Sequence, residues 1–162
     1  MERHHPSART DVARLRRSLD EVIERAEKIV DIELRADLAR YACLRLTGFL
    51  EQALLTASTD LVKAKSSGQP QAFALSHLQK SFNPRADAIY RHVERFKTEW
   101  RQDLEGLLTL DEGAQDLNAL VGIRNQIAHG QNQGISIERV KNYRKTVDTV
   151  VDLILDRFCP IR

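Results

Sequence analysis

Near the last third of the chain, Arg124-Asn125-Gln126-Ile127-Ala128-His129-Gly130 sits at the end of a helical pattern. It places a guanidinium, an amide and an imidazole within six residues. Arginine neutralises a phosphate through paired hydrogen bonds. Histidine takes or gives a proton near neutral pH. The set therefore points to metal-free chemistry at a phosphodiester, with Arg124, Asn125 and His129 as the catalytic candidates. Nowhere else does the chain gather comparable residue types. A two-metal nuclease needs converging carboxylates, whereas the acids here are spread along helix faces, mostly beside Lys or Arg. Gly113, Gly122 and Gly130 are too scattered for a phosphate-cradling loop. The pattern calls for no metal and no cofactor.

On an ideal helix Asn125 and His129 share a face, and the same face extended backward carries Gly122 and Asn118. Asn118 thus joins a polar strip with a bare notch at Gly122, as a weaker RNA-binding candidate. Gly122 can equally serve close helix packing. Arg124 is five residues from His129, roughly 140° around the helix. Both reach one phosphate if the helix unwinds near Gly130, if Arg124 curls around on its long stem, or if the two come from different subunits.

Arg-Asn-x-x-x-His at a helix end resembles the R-x(4–6)-H signature of the HEPN superfamily (higher eukaryotes and prokaryotes nucleotide-binding). Asn125 after the Arg, with Ile127, Ala128 and Gly130 around it, fits the common pattern, and the flanking sequence is most similar to the RiboL-PSP-type branch. The resemblance implies a small all-helical domain, and many such domains are ribonucleases. It further implies a homodimer whose two motifs meet in a shared cleft, in a cytosolic toxin–antitoxin or antiphage setting with an antitoxin protein as a further partner. The implied chemistry is RNA transesterification: the ribose 2′-OH attacks the adjacent phosphorus, leaving a 2′,3′-cyclic phosphate and a 5′-OH. His129 would act as general base, or as acid for the leaving oxygen. Arg124 would neutralise charge on the phosphoryl oxygens. Asn125 would orient His129, hydrogen-bond the phosphate, or bond only its own helix terminus. The helix C-terminus favours a protonated His129 and a nearby Arg124 disfavours it.

Blander readings compete. Arg and His are favoured in last helical turns because they complement the helix dipole. A catalytically silent HEPN module would keep dimerisation or partner or RNA binding without turnover. A purely structural helical adaptor would show no RNA affinity. The intact Arg–Asn–His triplet favours activity over both.

The elements that must position the motif read as helices throughout. Val12, Leu15, Leu19, Val22, Ala26 and Ile29 form one apolar stripe, with the charge run from Arg14 to Glu27 as a solvated face. A second helix starts near Leu34 and is apolar over most of its circumference, so it is central. Unbroken to Lys65 it spans about 48 Å, with Ser58-Thr59 as a point for a bend. Ser66 to Pro70 reads as a loop, followed by a short helix from Gln71 to Lys80. Asn83-Pro84 reads as an N-cap and first helical residue, opening a helix that carries Ile89, Val93, Phe96, Trp100 and Leu104. Thr109-Leu110-Asp111-Glu112 matches a capping box for the motif helix, and Gly130 a left-handed cap at its end. Ser136 caps a last helix with Val140, Tyr143, Val147, Val150, Ile154 and Phe158 on one stripe. Tyr143 reads as core, or as a border of the cleft. Lys141, Arg144 and Lys145, near the motif loop, are the basic residues for RNA contact, or else a solvated face. The expectation is an all-α compact bundle of about five to six helices.

Composition agrees. At 162 residues the chain is one domain, 1–162, with residues 1–9 as a flexible tail. Apolar content of 42% with 30% charge suits a soluble helical protein, and seven Gly and four Pro leave little for a turn-rich β fold. The net charge of +2 is too small to imply nucleic-acid binding, so any RNA grip must come from local clustering. Cys43 and Cys159 read as two buried thiols in a reducing cytoplasm. No signal peptide is expected, and the sequence has no apolar run of membrane length. His4-His5 reads as part of the disordered tail, before a tag remnant or weak metal site. His77 and His92 read as surface or rim residues.

Overall fold

The computed structural model describes residues 7–78 and 82–161. His4-His5 and Lys80 lie outside them. Among the described residues there are seven helices and no strand: α1 (Ala8–Lys28), α2 (Ile32–Lys65), α3 (Gly68–Leu78), α4 (Ala86–Glu94), α5 (Thr98–Leu110), α6 (Gly113–Ala128) and α7 (Ile137–Phe158). The all-α class is as expected. The count is above five to six because the chain breaks at a point where the apolar pattern runs on.

Helix α2 is the axle. It runs unbroken for 34 residues, without the bend allowed for at Ser58-Thr59, and so spans about 51 Å. Leu46, Leu50 and Leu54 are fully buried, and α1, α3, α6 and α7 all pack on it. Asp31 starts it by accepting a hydrogen bond from the Leu34 N–H at 2.8 Å, which satisfies one of the orphan donors of a first turn. Ser7 and Ser136 do the same for α1 and α7. The expected stripe of α7 is buried at all six positions, Tyr143 included.

The charge run on α1 does more than face solvent. Glu27 meets Lys141 at 2.5 Å, Asp20 meets Arg144 at 2.8 Å, Arg16 meets Asp152 at 2.6 Å and Arg9 meets Asp156 at 2.8 Å. Partners descend along α1 as they climb along α7, which makes the two helices antiparallel. Ser7 to Arg9, expected in the flexible tail, instead cap and open α1, with Arg9 bonded to α7.

Four boundaries depart from expectation. Gly68 to Pro70 form the first turn of α3 rather than loop, where a proline's missing N–H costs nothing. Asn83-Pro84 precede α4, and Arg85 is its N-cap residue. The next helix breaks at Arg95–Lys97, because the N–H groups of Phe96 and Lys97 both turn back to the Val93 carbonyl. The break swings Phe96 and Trp100 onto Phe158, with ring centroids 4.9 and 5.1 Å apart. The capping box is not formed. The Thr109 hydroxyl bonds back to the Glu105 carbonyl inside α5, and Glu112 enters α6 in the left-handed region at φ 54°. Gly113 permits that sharp entry, since a Cβ there would lie 2.6 Å from Leu108 Cδ2 and 3.3 Å from Thr146 Cγ2.

His92 is only partly exposed. Its Nε2 lies 2.7 Å from the hydroxyl of fully buried Ser58, between the rings of Phe82 and Phe96. Burial, reinforced by Arg95, lowers its pKa to about 4. Cys43 is buried and Cys159 half-buried, and both are free thiols. Burial pushes them up to about 11 and about 12, with Asp60 adding to the shift at Cys159, so both are poor nucleophiles.

Candidate active site

The motif occupies the last two turns of α6. Gly130 takes φ +74°, its N–H donates to the Ile127 carbonyl at 3.0 Å, and the Gln131 N–H donates to the Gln126 carbonyl at 2.9 Å. This pair of bonds is a Schellman cap, and it ends the helix where the sequence pattern placed the end. The His129 N–H still donates to the Asn125 carbonyl at 3.0 Å. The helix therefore stays wound through the motif. His129 has its backbone pinned and its side chain exposed, and among the described residues its imidazole makes no hydrogen bond.

Because an L-residue in the left-handed region costs about 1–2 kcal/mol, Gly130→Ala is expected to lower unfolding free energy by about that amount. Gly134→Ala, at an open position without positive φ, is the control. Equal denaturant midpoints for the two variants would show that the cap does not hold the motif end.

Arg124 points elsewhere. Its Nη1 donates to Asn125 Oδ1 at 3.0 Å and its Nη2 to Glu51 Oε1 on α2 at 3.2 Å. Both partners of the ion pair are half-buried. Burial raises the Glu51 carboxyl pKa, and Arg124 opposes the shift. The structure thus brings together Arg124, Asn125 and Glu51, and it leaves His129 apart from the guanidinium. Asn125 presents its oxygen to Arg124.

Glu51 was not anticipated from the sequence, yet a signal was there. It is the one acid between Asp37 and Asp60, in the helix that buries the most residues. A half-buried charge needs a partner.

The weaker RNA candidates are mostly engaged within the protomer. Asn118 Oδ1 accepts from the Ala86 N–H at 3.1 Å and so caps α4. Lys141 pairs with Glu27. Arg144 is only 11% exposed in its side chain, pairs with Asp20 and Asp148, and stacks over Phe49. Lys145 is exposed without an ion pair among the described residues, beside a cleft of about 310 Å³ that Asp111 and Asp116 also line. Lys141 and Arg144 thus spend their charge on acids of the same protomer. Gly122 is half-buried, but nothing lies within 4 Å of where its Cβ would be, so no neighbour within the protomer needs the gap.

No group of three or more His, Cys, Asp or Glu among the described residues is placed to hold a metal ion. No helix among them is long and apolar enough to cross a membrane.

An all-helical domain that ends its motif helix in Arg–Asn–x–x–x–His is of the HEPN class, whose members are commonly ribonucleases. The RiboL-PSP-HEPN family profile matches residues 10–159, and the chain belongs to that family. Neither the curated proteins nor the solved structures provide a match.

Proposed function

We propose that this HEPN module is a metal-independent endoribonuclease that cleaves RNA by 2′-OH transesterification as a homodimer. The reading rests on one observation above others. Arg124 is held half-exposed by Asn125 and Glu51 while the His129 imidazole, five residues on, stands exposed and unbonded among the described residues. Arg124 would donate to the phosphoryl oxygens, with charge developing against a guanidinium that is already oriented. His129 would move the proton of the 2′-OH or of the leaving oxygen. Asn125 and Glu51 would act as positioning residues for Arg124.

The same geometry supports a dimer. The helix does not unwind, and Arg124 bonds to Glu51 instead of curling toward His129, so a second copy is the remaining route to a paired Arg and His. The open position at Gly122 would let the outer faces of two α6 helices approach. A toxin or antiphage role, an antitoxin partner and a cytoplasmic setting belong to the same reading. Occupation of the Arg124 fork by Glu51 and Asn125 favours one competing reading, a catalytically silent module for dimerisation or for partner or RNA binding.

The test is incubation of labelled RNA, and of DNA of the same sequence, with the protein in excess EDTA. Cleavage of RNA alone, with a 2′,3′-cyclic phosphate end, is expected. Cleavage that appears only with a divalent ion would overturn the mechanism, and no cleavage under either condition would favour the silent module.

A further inference from the structure

Beside Glu51 lies a half-open notch of about 260 Å³ between α1 and α2, with Leu15, Leu44 and Gly48 among its lining. Ligand pockets for whole drug-sized molecules run from about 300 Å³ upward, so this one suits a smaller planar group. Its depth comes from a missing side chain: nothing lies within 4 Å of where a Gly48 Cβ would sit. The walls are leucine and Phe49, and the lining also carries the polar Arg45, Glu51 and Gln52. Arg45 is held by the Tyr41 and Ser18 hydroxyls, both at 2.9 Å. Glu51 faces both ways, lining the notch and bonding Arg124 at 3.2 Å.

We propose that the notch is a nucleobase subsite that takes an unpaired guanine next to the phosphate bound at Arg124. The proposal rests on the ribonuclease reading only for the identity of the neighbouring phosphate. Single-stranded RNA is recognised by splaying a base out, covering its faces and bonding its edge. Here leucine side chains cover the faces. Guanine presents two adjacent N–H donors on its Watson–Crick edge, and a carboxylate is an acceptor with two oxygens. Glu51 offers that acceptor, and Arg124 opposes the upward pull of burial on its carboxyl. One side chain therefore joins the base site to the phosphate site.

Gly48 makes the test clean. Gly48→Ala and Gly48→Leu both replace the poorest non-proline helix former at an open position, so both should melt no lower than the parent. The probes are guanosine 3′-monophosphate and cytidine 3′-monophosphate, titrated by calorimetry, together with the bases at RNA cleavage ends. Guanosine 3′-monophosphate is expected to bind at least about tenfold tighter than the cytidine nucleotide, a gap on the scale of one good side-chain–base pairing. Gly48→Leu should abolish that preference, and Glu51→Gln should weaken it.

Equal binding of the two nucleotides, or a preference untouched by Gly48→Leu, would overturn the subsite. So would conversion of a dimer to a monomer by Gly48→Leu, since the notch would then be filled by a second copy. RNA cleavage without base preference would reject the notch and leave the ribonuclease standing. Selective guanosine nucleotide binding without cleavage would support the subsite and reject the enzyme.

Discussion

Arg124→Ala and His129→Ala are each expected to lower RNA cleavage by about 10²-fold or more. That is the scale on which removing an oriented charge-stabilising donor or a general acid–base group acts. The two variants should differ in stability. His129 is exposed and unbonded, so its loss should change unfolding free energy by no more than about 0.5 kcal/mol. Arg124→Ala strands the half-buried Glu51 carboxylate, and a lost partner of that kind costs about 1–3 kcal/mol. Adding Glu51→Gln to Arg124→Ala should return much of the stability without returning activity. Mixing the two inactive single variants is the decisive extension. If each site takes Arg124 from one subunit and His129 from the other, a mixed dimer keeps one intact pair, and some turnover should reappear. Wild-type turnover by both variants would remove the site from consideration. A fully active monomer would refute the shared cleft, and so would a dimer whose motifs face away from each other.

Acid should destabilise the protein through His92 well before most carboxylates titrate. Burial and the Arg95 guanidinium lower the folded-state pKa from the ordinary 6.5 to about 4. Between those values the unfolded chain binds a proton that the folded chain refuses, so stability rises with pH across the window. The contribution is whole above pH 6.5 and is lost progressively toward pH 4, for a total of about 3 kcal/mol. His92→Gln keeps a hydrogen-bonding group for the buried Ser58 hydroxyl and removes the titration. The difference in unfolding free energy between wild type and His92→Gln, followed by urea melts from pH 7.5 to 4, should therefore fall by about 1.4 kcal/mol per pH unit within the window. A difference independent of pH would mean that His92 is hydrated in the folded state.

Periodicity determined most of the scaffold. The stripes of α1 and α7, the central place of α2, the serine cap of α7 and the glycine stop after His129 all depend on residues a few positions apart. A helix satisfies its own backbone bonds, so local spacing suffices to mark it. The motif was legible for the same reason, since Arg124, Asn125 and His129 sit within one helix end. The tertiary structure decided what lies far apart in the chain. Glu51 meets Arg124 from 73 positions away in the chain, Asn118 spends its oxygen on the start of α4, and Arg144 is drawn into the α1–α7 contact. The break after Glu94 and the failed capping box were decided there too, because burying Phe96 and Trp100 on Phe158, and seating Gly113 against Leu108 and Thr146, outweigh local helix preference. A side chain's hydrogen-bond partner is chosen by which helices pack together, and that depends on the burial of the whole core rather than on any short stretch of sequence.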